Sequence, residues 1–232
     1  MAIRNFEGDQ FLLIFTNVIS WLLVGAFLLA AIFIERKRLT ETKILHISIV
    51  GTICGLSAIL TNLLGYNISI FSLSIKLALG QWLIFIVGIF YGPTLGVVAG
   101  ICGDLVGSLL GLGGGAFHAG FMLCSVIIGF AGGVTLLFGK KHILLKGAIL
   151  YSLAYILQSI VLNPIWLFSM RYGEYVYVDM ALKLIKLPIS LAIYISLISA
   201  TFFLFIQIIK RMNDEDCWWY LKTKGTGVVN EI

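Results

Sequence analysis

Long unbroken runs of apolar residues, each near the length a helix needs to cross a bilayer, constrain this chain more than any other feature. A hydrocarbon core takes roughly 20 residues of helix. Seven such runs are legible, at residues 11–34, 44–64, 77–91, 94–110, 117–138, 143–170 and 178–209. A soluble domain averages about 45–50% apolar and about 25% charged residues. Here 60% of 232 residues are hydrophobic and 12% are charged, with a mean hydropathy of +1.04. One water-facing core cannot absorb that excess, and the ten-residue alternation of a membrane β-barrel is absent. The expectation is an all-α polytopic membrane helix bundle. The first run, about 24 residues against the 7–15 of a signal-peptide core, predicts a retained helix. Gly92-Pro93 divides the third run from the fourth, because proline fixes its own dihedral and disfavours a helical predecessor. The more polar stretch from Gly65 to Ser74 predicts a loop or an interfacial segment.

The net charge of +5 is explained by orientation rather than by nucleic acid. Basic residues in short loops mark the cytoplasmic side. Arg36, Lys37, Arg38 and Lys43 follow the first run, Lys140, Lys141 and Lys146 the fifth, and Lys210, Arg211, Lys222 and Lys224 the seventh. An odd number of spans precedes each cluster, so all fall on one side. The predicted N-terminus lies outside a cell membrane and the C-terminus in the cytoplasm. Lys76, His118, Arg171, Glu174, Asp179, Lys183 and Lys186 break the pattern near the outer ends of the runs. A charge inside a membrane usually faces a water-filled cavity or a partner. For any single one, snorkelling to the interface is the plain alternative.

Helices in lipid approach closely through small residues. Gly96 and Gly100 form one such stripe on the fourth run, Gly103, Gly107 and Gly111 a second, and Gly129 and Gly133 another on the fifth. These predict internal packing. Gly51, Gly55 and Ala58 on the second run suit either packing or docking of another membrane protein. Asp104, deep in the fourth run, must be protonated, paired or hydrogen-bonded. Ion coupling, a structural hydrogen bond and ligand contact are all open to it. Cys54, Cys102, Cys124 and Cys217 have no CxxC spacing and read as packing residues.

No GxxxxGK[ST] phosphate loop, HExxH or GxSxG is present, and the three histidines are far apart, so no enzyme, metal or cofactor is indicated. The outer segments instead carry a ligand-like set. Gly114 and Gly115 allow close backbone approach, while Phe117 and His118 offer flat surfaces. Asn163 supplies an amide donor and acceptor, and Pro164 beside it loosens the helix. Trp166 suits stacking, Arg171 suits a carboxylate, and Lys76, Lys183 and Lys186 add positive potential. An interfacial aromatic belt accounts equally for Trp166, Tyr172, Tyr175 and Tyr177.

Tyr91-Gly92-Pro93, Gly103-Asp104-Leu105, Gly114-Gly115 and Ala119-Gly120-Phe121, in that order, resemble the S-components of energy-coupling factor vitamin transporters. Asn163 with Trp166, then Arg171-Tyr172-Gly173 and Leu187-Pro188-Ile189, resembles the folate branch. The likeness covers residues 44–210. It implies a six-helix core with an extracellular vitamin site, built here from Lys76, Gly114, Gly115, Phe117, His118, Asn163, Trp166, Arg171 and Lys183. It also implies a membrane scaffold subunit, docked through Gly51, Gly55 and Ala58, and two cytoplasmic ATPase subunits. The loaded module would tilt to release its ligand. On this reading residues 1–42 are an added transmembrane helix and basic linker, 43–211 the substrate-binding core, and 212–232 a cytoplasmic tail. Trp218 and Trp219 leave open whether that tail lies on the membrane. The sequence departs from the family pattern at His118-Ala119-Gly120 and in carrying lysines rather than an arginine ahead of Pro188. The rival expectation is a stand-alone ion-coupled transporter using Asp104, although no inverted repeat is evident.

Overall fold

The structure, a computed structural model, describes residues 2–36, 42–62, 67–70, 73–76, 80–109, 117–139, 141–212 and 217–219. Along the chain these form α1 (Ala2–Glu35), α2 (Ile44–Asn62), β1 (Asn67–Ile70), β2 (Leu73–Lys76), α3 (Gln81–Tyr91), α4 (Pro93–Leu109), α5 (Ala119–Val134), α6 (Ile143–Ile156), α7 (Asn163–Ser169) and α8 (Tyr175–Met212). A 3-10 turn, Thr135–Phe138, extends α5, and a π-helical turn, Leu157–Leu162, joins α6 to α7. The joined helix runs unbroken over Ile143–Ser169, so one apolar rod stands for each of the seven runs. Five of them are long and apolar enough to cross a membrane, while α3 and α4 are shorter. The chain is an all-α polytopic membrane bundle.

Of the two shorter helices, α3 sits in the middle of the bundle. Every residue of α3 except Trp82 is buried, as expected of a helix that is apolar all round. Gly92 ends α3 with φ +97°, a backbone region glycine enters freely, and Pro93 opens α4. The expected break is therefore one sharp corner. On the periphery, Phe11, Leu22 and Phe33 of α1 and Ile185 of α8 are largely exposed. Such apolar faces have lipid as their natural neighbour.

Glycine decides how α3, α4 and α5 meet. A Cβ on Gly96 would overlap the Gly129 carbonyl, and one on Gly129 would overlap the carbonyl of Gly96. A Cβ on Gly100 would lie 2.7 Å from the Ser125 carbonyl oxygen. The Gly96–Gly100 stripe of α4 thus packs backbone to backbone against α5.

Residues 65–74 were expected as a loop or interfacial segment. In part they form an antiparallel hairpin, Asn67 pairing with Lys76 and Ile70 with Leu73. The alternation Asn-Ile-Ser-Ile and Leu-Ser-Ile-Lys has the period of a strand.

Helix α1 is bonded into the bundle at two levels. Near one end, Asn17 Oδ1 accepts a hydrogen bond from the Ala119 backbone N–H at 2.9 Å, capping α5. Near the other, buried Glu35 accepts from the Thr94 N–H at 2.9 Å and caps α4. That Glu35 end is also where α3 turns into α4, where α5 finishes and where α8 finishes. Cys217–Trp219 fold back into it: Trp218 Nε1–H donates to the Gly133 carbonyl at 3.3 Å, and the Trp219 ring lies 5.1 Å from that of Phe202. Both tryptophans are buried in protein.

Candidate functional site: a polar cavity inside the bundle

The second half of α4 behaves unlike the first. Gly103 and Gly107 are buried, yet a Cβ on Gly103 would meet only the tip of Ile84, at 3.6 Å. The space beside them is a cavity of about 210 Å³ between α2, α3, α4, α5 and the π-helical turn. It lies toward the end of the bundle away from Glu35 and Trp219. Its polar lining consists of the hydroxyls of Ser57, Thr61, Ser108 and Ser125, three side-chain amides and one carboxylate, Asp104. No lysine or arginine lines it among the described residues.

Local structure places the amides. Pro164 cannot donate a backbone hydrogen bond, and its ring crowds the preceding turn. The chain answers with the wider π turn just before it, in which the Asn163 N–H reaches back five residues to the Gln158 carbonyl. Gln158 and Asn163 consequently both line the cavity. Gln158 Nε2 donates to Gln81 Oε1 at 3.0 Å, which fixes the π turn to the start of α3. Gln158 Oε1 is buried with no hydrogen-bond partner. Such π bulges are frequent at functional sites. Ser57 Oγ–H donates to the Gly80 carbonyl at 2.8 Å and ties the end of α2 to the same corner. Asp104 makes no hydrogen bond or ion pair among the described residues.

Of the expected ligand residues, the cavity takes Asn163, whose Oδ1 lies 3.7 Å from the thiol of Cys124. Trp166 is buried outside it. Its indole fills the space over Gly120, where a Cβ would overlap the ring, and lies 5.6 Å from His118. His118 is the N-cap of α5: its Nδ1 accepts from the Gly120 N–H at 3.0 Å. Nε2–H then faces Thr16 Oγ1 at 3.2 Å, whose own hydroxyl donates to the Leu12 carbonyl at 2.9 Å. That order of donors assigns His118 one neutral tautomer and joins α5 to α1. Phe117 is exposed, its ring 6.4 Å from that of Trp21.

Arg171 is exposed in the turn after α7, at φ +69°. Lys183 is ion-paired at 2.6 Å with Asp179, one turn earlier on α8. Lys76 closes β2, and Gly114 and Gly115 lie outside the described residues. Of the proposed docking stripe, Gly51 and Gly55 have no atom within 4 Å of where a Cβ would be, whereas Ala58 is buried and lines the cavity. Gln81 and Gln158 were not anticipated. Their only signal was an amide side chain within an apolar run, Gln81 in the third and Gln158, beside Asn163, in the sixth.

No protein-family model, curated protein or solved structure matches this chain.

Proposed function

We propose that this chain is the solute-binding membrane subunit of an uptake system, taking a vitamin, folate or a related pterin, from the extracellular side. The observation that carries the reading is the polar cavity at Asn163. A membrane bundle gains nothing by keeping hydroxyls, amides and a carboxylate around an internal space unless something polar enters it. The positive-inside pattern puts the cavity end outside and the Glu35 end in the cytoplasm. Ligand pockets for drug-sized molecules run to about 300–1,000 Å³. At about 210 Å³ this cavity suits one ring system, such as a pterin head, with the rest of a longer ligand outside it.

The resemblance to S-components extends the proposal to partners: a membrane scaffold subunit and two cytoplasmic ATPases of an energy-coupling factor module. The open Gly51–Gly55 face of α2 supports a docking surface there. Titration of the purified full chain with a panel of B vitamins tests the function. Binding of folate or a pterin supports it, and absence of binding to every member refutes it. Unpaired Asp104 in the cavity favours one rival, ion-coupled transport. That rival requires gradient-driven uptake into liposomes holding this chain alone.

A further inference from the structure

We infer that Asp104 is the residue that orients the ligand, and that it selects a planar ring presenting adjacent N–H and NH2 donors, as in an amidine or a 2-amino-4-oxo pyrimidine edge. The inference rests on the solute-binding role proposed above and narrows its substrate class.

Three observations carry it. The Asp104 carboxylate lines the cavity and has no partner among the described residues. Among the described residues no lysine or arginine shares the lining with it. Gln158, more than nine-tenths buried, lines the same space and keeps Oε1 without a hydrogen bond. An isolated carboxylate in a membrane interior is costly until something donates to it. Two parallel N–H bonds from a planar donor edge satisfy both of its oxygens at once, as guanidinium does for carboxylates elsewhere. The Gln158 carbonyl oxygen accepts a further donor, and Asn163 supplies an amide to the ring's own acceptors. A ligand held only by its carboxylates finds no lysine or arginine among the described lining residues.

Pterin and lumazine form a matched pair of probes. They share the bicyclic ring, but lumazine carries a 2-oxo group where pterin carries 2-amino. The donor–donor edge becomes donor–acceptor, and the new oxygen faces the carboxylate. The full-length protein in detergent is titrated with each, together with the Asp104→Asn variant. The wild type is expected to prefer pterin by at least about tenfold, since an unmatched buried polar group discriminates strongly. The amide introduced by Asp104→Asn offers a donor group and an acceptor in place of two acceptors, so the variant is expected to lose or reverse that preference.

Equal wild-type binding of pterin and lumazine overturns the inference without any variant. So does pterin binding that Asp104→Asn leaves unchanged, or binding confined to vitamins that lack such an edge. In those cases the solute-binding role stands. Failure of the wild type to bind any vitamin refutes the role itself, and the inference with it.

Discussion

In its first half, α4 presses Gly96 and Gly100 against α5 so closely that neither position has room for a methyl group. In its second half Gly103 and Gly107, at the same four-residue spacing, look onto a cavity of about 210 Å³. The neighbours account for the difference. Gly129 opposes Gly96 with a bare backbone, and the two helices collapse together. Opposite Gly103 stand side chains that reach only part-way, Ile84 from α3 and polar groups from α5 and the π turn. A small-residue stripe therefore says that a helix surface is flat, while its neighbour decides whether the flat surface is a seam or the wall of a hollow.

Substitutions that treat the two halves alike should give unequal results. Gly96→Ala forces a methyl group into the Gly129 carbonyl and should cost about 3 kcal/mol, the upper range for overpacking, or prevent folding. A thermal unfolding midpoint in detergent reads this directly, and a wild-type midpoint would break the contrast. Glu35→Ala removes the acceptor from the Thr94 N–H at the tight end of α4 and should cost about 1–2 kcal/mol in the same assay. Asn17→Ala takes the cap from the start of α5, closer to the cavity end, and should cost about 1 kcal/mol. If both leave stability unchanged, α1 is an appendage rather than a brace across the two halves. Gly103→Ala meets only ordinary contact with Ile84 at 3.6 Å and should change stability by less than about 0.5 kcal/mol.

Much of the fold was legible in the sequence. Seven apolar runs became seven rods, Gly92-Pro93 became the corner of α3 and α4, and Gly96, Gly100 and Gly129 became a seam, whereas Gly103 and Gly107, also expected to pack internally, line the cavity. The hairpin was also visible in its alternation, but a short stretch rich in Gly, Asn and Ser between two membrane runs reads as well as a loop or an interfacial segment. The cavity was half legible. Asp104 and Asn163 stood out as polar residues in apolar runs, and Pro164 promised a disturbed helix. The form of that disturbance did not follow from sequence. Five residues apart on an α-helix, Gln158 and Asn163 point about 140° away from each other; the π turn brings both to one space. Trp166 and Lys183 fit a ligand site by residue type alone. Gly120 leaves a hollow that the indole fills, and Asp179, four residues before Lys183, is a ready helix partner. Residue chemistry named suitable groups, whereas local packing determined which of them were already engaged.

The central claim is that a solute occupies the space beside Gly103. Isothermal titration of folate and of 6-hydroxymethylpterin into the wild type and into Gly103→Leu tests it most directly. Leucine there projects into the hollow without displacing backbone, so the variant should fold with an unfolding midpoint close to wild type. The account requires at least one of the two ligands to bind the wild type and neither to bind the variant. Equal binding by a folded Gly103→Leu protein, or no heat with either ligand in the wild type, would contradict it.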